Sequence, residues 1–371
     1  MDFTAAVFRD GAAEATYETV TSETLRADEV LVRLVATGIC HSDIAVRDGM
    51  FPVPRPLILG HEGAGVVEQV GQGVSKVAPG DRVVMSFLVC GHCPSCAEDA
   101  PAYCHQFGML NVSGRRGDGS SALTLDGEAV GGHFFGQSSF ATYSVANERN
   151  VVKVREDAPL ELLGPFGCGL QTGAGAIFNS LTPKAGQSLV VLGGGAVGLA
   201  AVMAGKIVGC NPIILSEPRE ERRALALELG ATEVVDPLGI EDLAAWIRER
   251  TGGGADCIFD TSGHTAVIEA AISALAPRGS LGLVAQHSME QRASFNLIEL
   301  ISTGRTIRGI VEGDSDPDTF IPLLIDYFME GRFPADRLVK FYEFEQLNQA
   351  LEDQHAGRAI KPIVRIATGS A

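Results

Sequence analysis

Basic residues are scarce in this chain: 29 lysines and arginines stand against 46 aspartates and glutamates, a formal net charge of -17. A surface of that sign repels nucleic acid, and no basic stripe or basic-aromatic face offsets it, so nucleic-acid binding is excluded on charge. The opening residues MDFTAAVFRDG lack the basic start and apolar run of a signal peptide. Long hydrophobic runs are missing too. Only SLVVLGGGAVGLAAVMAGKIVG, residues 188–209, approaches a membrane span, and three consecutive glycines and Lys206 interrupt it. It reads as a strand, a tight turn and a packed helix. No internal repeat or low-complexity segment occurs. The expectation is a cytosolic protein whose thiols stay reduced, which counts against disulfides. Cysteine is itself sparse, with eight in the chain, yet four of them fall within CGHCPSCAEDAPAYC, residues 90–104.

What is present is a long, glycine-rich globular chain: 371 residues, 44 glycines, 46% apolar. That length favours two domains and is ample for real cores. The first 150 residues alternate β-rich runs such as EVLVRLVATGI, GAGVVEQVG and DRVVMSFL with Gly/Pro turns. From about residue 186 strands at 189–192 and 213–216 alternate with helical stretches, beginning with a small-residue helix at 196–209. This rhythm means βαβ units and a parallel sheet, an α/β class with a mostly β partner domain.

Three constellations carry chemistry. In VVLGGGAVGL, Gly193, Gly195 and Gly198 follow a strand and open a helix. The first glycine permits the tight turn and the second lets a pyrophosphate approach the backbone. The third lets helix and strand pack closely, while the helix N-terminus at Ala196 and Val197 supplies partial positive charge. Glu217, 22 residues after Gly195 at the end of the next strand, suits the ribose hydroxyls and would repel a 2′-phosphate. NAD is therefore favoured over NADP, with Arg219 working against that preference. The second constellation is Cys90, Cys93, Cys96 and Cys104, dense enough to wrap a tetrahedral zinc ion. Four thiolates leave no open position, so this metal would be structural. The third is Cys40 in TGICHSD, His61 in LGHEG and Cys168 in GPFGCGLQTG, each among glycines. Two cysteines, a histidine and one open position make a catalytic zinc set. Spread over 128 residues, they could equally be two small buried hydrophobes and a loop histidine.

GICHSD, GHEGAGVVEQVGQGV, PGDRVV, the four-cysteine loop, GCGLQTGAG and GGGAVGL stand in the order and spacing of the zinc-dependent medium-chain alcohol dehydrogenases, and the chain resembles that family over its whole length. FPVPRP, FFGQSSFATY, LELLGPFGCGLQTGAG and RGIVEG resemble most the aryl-alcohol (benzyl alcohol) members. The resemblance implies a GroES-like catalytic domain of 1–169 plus 312–371 and a Rossmann domain of 170–311, with the active site in the cleft. It implies two zinc ions per chain, NAD, a Lewis-acid role for the ion at Cys40, His61 and Cys168, and hydride transfer from the alcohol carbon to C4 of NAD+. Ser42 would take the alcohol proton, and Asp43 would fix the tautomer of His61. Glu62 would lie near the ion, or be a buried acid paired with a basic residue. Thr172 would pack on the nicotinamide, cap a helix, or both. Lys361 would contact the pyrophosphate.

Two positions depart from the ethanol-oxidising relatives. Ala45 replaces the outer histidine of the proton relay and cannot pass a proton on. His41 stands where an arginine often meets the pyrophosphate, and could bind phosphate, accept the proton, or do both. Phe51, Phe87, Phe135 and Phe166 fall near pocket positions and would favour flat, apolar alcohols, or be plain core. Cys210 and Cys257 read as core. Rival substrates are a terpene alcohol of the geraniol type and a thiol adduct of formaldehyde. Relatives form dimers or tetramers through the edge of the Rossmann sheet, which makes TIRGIVEG a candidate seam for a homo-oligomer.

Overall fold

The computed structural model describes residues 1–285 and 290–366. The chain divides into two compact units. One comprises Met1–Gly169, Asp316–Met329 and Asp336–Ala371, and the other Leu170–Ser315 and Glu330–Ala335. Among the described residues no helix is long and apolar enough to cross a membrane.

The first unit is built on antiparallel sheet. Its longest strand, Glu29–Gly38 (EVLVRLVATG), is buried along almost its whole length because neighbours cover both faces. It pairs with Glu62–Val70 and Tyr143–Asn147, and at its far end with Lys361–Arg365, where Ile363 stands opposite Gly38. Lys361–Arg365 in turn runs parallel to Val339–Glu343. A second sheet carries Asp2–Phe8, Thr16–Ser22 and three short strands. Glycines permit the crowding where the long strand meets the next. A Cβ on Gly38 would stand 2.1 Å from a Glu62 carboxylate oxygen, and one on Gly164 would stand 2.1 Å from the Glu62 carbonyl.

The second unit is a six-stranded parallel sheet in the order Glu233–Val235, Ile213–Ser216, Leu189–Leu192, Ala255–Asp260, Leu275–Leu283, Thr306–Gly309. Numbered along this unit the order is 3-2-1-4-5-6, the doubly wound arrangement whose order reverses beside its first strand. Continuous apolar runs such as LVVL and IILS are what strands buried on both faces require. The core between sheet and helices holds Val190, Ile214, Ile247, Ile258, Ile272 and Leu281. The window 188–209 resolves into the strand Leu189–Leu192, the glycine turn and the helix Ala196–Val208. That helix is buried from Gly198 to Gly205 by neighbouring protein, which accounts for its apolar composition without a membrane. Cys210 and Cys257 are both buried.

Candidate active site

The centre in the first unit starts from Cys40, the cap position of the short helix His41–Arg47. Asp43 on that helix organises three groups. Its Oδ2 accepts the Cys40 N–H at 2.9 Å, its Oδ1 accepts the Gly60 N–H at 3.0 Å, and Oδ1 also faces His61 Nδ1 at 3.0 Å. With Nδ1 held by a carboxylate, the Nε2 of His61 is the nitrogen available to a ligand. It is completely buried and has no hydrogen-bond partner among the described residues. Cys168 brings its sulfur to 3.9 Å from that of Cys40, and the three ligand atoms lie within 4.8 Å of one another. Two sulfurs ~2.3 Å from a tetrahedral zinc ion stand about 3.8 Å apart, so the donor set fits a zinc ion with one position left over. A hydrogen bond from the Cys168 thiol is the largest influence holding the Cys40 thiol well below its ordinary value. At His61 burial is the largest single influence and opposes charge, but the Asp43 carboxylate and Cys40 together outweigh it and favour the imidazolium, so a proton and a metal compete for Nε2.

Around this trio the expected residues are placed as follows. Ser42 Oγ lies 3.9 Å from the Cys40 sulfur, His41 is exposed at the start of the helix, and Ala45 is buried. Glu62 is fully buried, and both of its oxygens meet the Lys361 ammonium, at 2.8 and 2.9 Å. Lys361 also donates to the Ile39 carbonyl at 3.0 Å and is 2% exposed. This corrects the expectation for Lys361. All three ammonium protons are engaged inside the unit, so the side chain is the partner of Glu62 and is not presented to a pyrophosphate. Of the two readings of Glu62, the buried acid paired with a base is the one observed. Burial raises the Glu62 carboxyl. At Lys361 burial is the largest single influence and lowers the ammonium, but the Glu62 carboxylate, with Cys40 and Cys168, outweighs it and keeps the ammonium above its ordinary value.

Phe135 stacks on the His61 ring with centroids 4.4 Å apart. Phe134, which the sequence reading missed, meets His61 edge-on at 5.3 Å, and Phe107, also missed, meets Phe135 at 6.2 Å. Phe51 is half-buried in its loop. Phe87 is buried against Phe107 and lines a cavity of about 340 Å³ with Val89, Lys76 and Arg149. Phe166 is fully buried against Phe328, 5.8 Å away, which corrects its assignment from pocket wall to core. Gln137 is another unanticipated support. Its amide donates to the His61 and Ser86 carbonyls and accepts from Gly63 N–H, fixing the backbone on either side of Glu62, just after the histidine.

The four-cysteine loop closes on itself, the sulfurs of Cys90, Cys93, Cys96 and Cys104 all within 4.8 Å. Backbone N–H groups of Cys90, Cys93, His105 and Gln106 point at these sulfurs at 3.3–3.4 Å. The His105 N–H is the largest influence lowering the Cys93 thiol to about 6, while burial and the neighbouring thiols push Cys96 up to about 12. Four crowded thiols cannot all ionise unless a cation joins them, and this donor set fits a closed tetrahedral zinc site.

The dinucleotide turn lies in the second unit. Gly193 has φ 103°, and a Cβ there would stand 2.5 Å from Thr261 Oγ1. A Cβ on Gly198 would stand 1.9 Å from the Gly193 carbonyl. Around Gly195 nothing of the protein lies within 4 Å of such an atom, so the cap of the helix Ala196–Val208 opens on free space. Glu217 is buried beside the turn, accepting the Gly194 N–H at 2.6 Å and the Arg219 N–H at 2.9 Å. The Arg219 guanidinium is 43% exposed. This cradle fits a dinucleotide. Thr172 is buried within the helix Gly169–Gly175, not at its cap, which removes the capping alternative. Its hydroxyl donates to Glu312 Oε2 at 3.3 Å, a residue with no motif to announce it.

Two family profiles match the sequence: the alcohol dehydrogenase GroES-like domain over residues 26–156 and the zinc-binding dehydrogenase over residues 196–327. The chain is 48% identical over 361 residues to a geraniol dehydrogenase of Castellaniella defragrans, covering 97% of this chain and 96% of that one. A solved alcohol dehydrogenase zinc-binding domain protein from Burkholderia ambifaria superposes with TM-score 0.97 at 50% identity, covering 99% of each chain. Benzyl alcohol dehydrogenase from Acinetobacter calcoaceticus does so with TM-score 0.95 at 42% identity, over 99% of this chain and all of that one.

Proposed function

The chain belongs to the zinc-dependent medium-chain alcohol dehydrogenases, and from that premise we propose that it oxidises a primary aromatic or allylic alcohol to the aldehyde with hydride transfer to NAD+. The observation that carries the reading is the convergence of Cys40, His61 and Cys168 around a bare, buried His61 Nε2 with Phe135 stacked beside it. Zinc bound there supplies a Lewis acid for the alcohol oxygen, and the nicotinamide supplies the hydride acceptor. Asp43 holds His61 in the tautomer that presents Nε2. Ser42 takes the hydroxyl proton. Ala45 offers it no onward path, so it leaves through water or the exposed His41, which is also the remaining candidate for a phosphate contact. Phe134 and Phe135 make the ground beside His61 apolar and exclude water from it. Thr172 packs on the nicotinamide. Glu217 receives the ribose hydroxyls and disfavours a 2′-phosphate, the argument for NAD against NADP.

Two substrates are favoured by likeness: geraniol by one relative and benzyl alcohol by another. Both place the oxidised carbon next to a π system. As parts of the same proposal, the second zinc is structural, the protein is cytosolic, and it is a homodimer or homotetramer. Its seam would be the edge strand Thr306–Gly309 with the exposed Leu297, Ile298 and Ile301. Initial rates with benzyl alcohol, geraniol and ethanol, each with NAD+ and NADP+, test the reading. Benzyl alcohol ahead of ethanol with NAD+ supports it, and geraniol ahead of benzyl alcohol moves the substrate to terpenoids. No turnover by protein holding two zinc ions refutes the substrate class.

A further inference from the structure

The first unit buries two uncharged polar side chains, Gln137 and Ser86, beside the trio, and neither has a part in the chemistry set out above. Both stand where a sheet comes apart. Strands Glu62–Val70 and Arg82–Met85 pair antiparallel from Val66 and Arg82 as far as Ala64 and Val84, and there the ladder stops. Continued in register it would set Glu62 opposite Ser86 and join the strands backbone to backbone. The Gln137 amide occupies that place instead. Its Nε2 donates to the His61 carbonyl at 3.0 Å and to the Ser86 carbonyl at 3.1 Å, and its Oε1 accepts the Gly63 N–H at 3.1 Å. Both amide protons and the amide oxygen are thus engaged, which holds the two strand ends apart at a set distance. Ser86 carries the constraint further. Its N–H donates to the Asn150 carbonyl at 2.9 Å, and its hydroxyl donates to the Gly167 carbonyl at 2.6 Å. Gly167 precedes Cys168, and a Cβ on it would stand 2.1 Å from the Met85 carbonyl. The Asn150 amide, donating to the carbonyls of Ser86 and Phe135 at 3.3 and 3.4 Å, ties in the turn that lays Phe135 on His61.

We propose that Gln137 and Ser86 are positioning residues of the trio, which set how the Cys168 sulfur approaches His61 Nε2 and so how tightly a metal is held there. The inference rests on the reading of Cys40, His61 and Cys168 as a metal site. Such a donor set must be held to a fraction of an ångström. Asp43 does this for two of its members, through the Cys40 N–H and the His61 ring. Its hydrogen bonds do not extend to Cys168, whose neighbours Gly167 and Gly169 restrain the backbone least of all residues. The path from the His61 carbonyl through the Gln137 amide and Ser86 to the Gly167 carbonyl does extend there, and it lies wholly within the first unit. Partners of this kind, one step behind the donor atoms, change metal affinity about ten- to a hundredfold when removed.

The test loads the full chain with Co2+ and follows its visible and sulfur-to-metal charge-transfer bands during competition with a chelator, for wild type, Ser86→Ala and Gln137→Met. The trio leaves one position open and the four-cysteine set leaves none. Bands that move when imidazole is added therefore report the trio, and bands that stay report the four cysteines. Ser86→Ala should shift the imidazole-sensitive bands and release that Co2+ at about tenfold less chelator, with the insensitive bands and their release unchanged. Gln137→Met should do the same to a greater degree. If Gln137→Met does not fold, Ser86→Ala, which loses a single oxygen, decides alone. Variants with wild-type bands and wild-type release overturn the proposal, even where the melting temperature falls, because that marks a brace for folding only. Equal weakening of both metal sets overturns it as well. A wild type with no imidazole-sensitive bands overturns the reading of the trio as a metal site, and this proposal with it.

Discussion

His133 is a histidine that folding obliges to stay neutral, and this should be measurable. It is 4% exposed, and its Nδ1 has no hydrogen-bond partner among the described residues. Burial, and then the charges of Arg116, Arg26 and Arg115, lower it from 6.5 to about 3, with only Asp118 acting the other way. Its pKa is depressed in the folded state. Below 6.5 the unfolded chain therefore binds a proton that the folded chain refuses, and stability falls as pH falls. The slope is about 1.4 kcal/mol per pH unit between the two values. By pH 5 the loss attributable to this one side chain should be about 2 kcal/mol, against almost none at pH 7. His133→Gln keeps a polar side chain of similar reach and removes the titration. Urea unfolding of wild type and variant at pH 7, 6 and 5, each in the same zinc-supplemented buffer, measures the difference, and comparing the two cancels any acid sensitivity of the cysteine clusters. The variant should gain on the wild type by about 2 kcal/mol between pH 7 and pH 5. Parallel stability curves over that range would refute the reasoning, because they would mean His133 is protonated in the folded state or reaches solvent.

Lys361→Met leaves the Glu62 carboxylate buried without its partner, and thermal melts should show a loss of about 3–5 kcal/mol. Adding Glu62→Gln should restore most of it, whereas an unchanged midpoint in Lys361→Met would show that the pair contributes nothing. The Lys361 ammonium is held above its ordinary value, so the lysine's contribution is present at neutral pH and is lost as pH rises through its raised folded-state value. Cys104→Ser should lower the metal content from two zinc ions per chain to one and bring unfolding to lower denaturant, and a retained second ion would sink the structural-site assignment. Gly198→Ala forces a Cβ to 1.9 Å from the Gly193 carbonyl. It should weaken NADH at least about tenfold without altering zinc content, and unimpaired binding would refute the role given to the turn.

Legibility in the sequence followed the range of the interaction. The glycine turn could be read directly, since the clashes at Gly193 and Gly198 are made with residues close by in the chain or on the adjoining strand. The four cysteines announced their cluster because all lie within one loop. Cys40, His61 and Cys168, each among glycines but spread over 128 residues, left two readings open, and the resemblance favoured them as a set. Pairings across the chain escaped altogether. Nothing near Lys361 says that it will meet Glu62, 299 residues away in the buried interior, and the resemblance pointed it at a pyrophosphate instead. Phenylalanines were legible as apolar but not as to which face each would take, and Phe166 and Phe135 ended in opposite settings. Glu312 escaped for a different reason. A left-handed backbone at glutamate contradicts its local preference and is held by its surroundings, the Arg308–Asp314 pair among them.

The strand Lys361–Arg365, described above for its register against Glu29–Gly38, also sets the order in which the protein can be made. Cys90 to Cys104 closes a loop of a dozen or so residues, and that segment can close on itself as soon as it leaves the ribosome. Bringing Cys40 to Cys168 closes a loop some nine times longer, at an entropic cost about 2 kcal/mol greater. The floor beneath Cys40 is later still. The Ile39 carbonyl and the Glu62 carboxylate wait for Lys361, and Gly38 waits for Ile363. A nascent chain can therefore close its four-cysteine loop early in its synthesis while the trio of Cys40, His61 and Cys168 remains unfinished. The site gains its last wall only when residue 365 has been released.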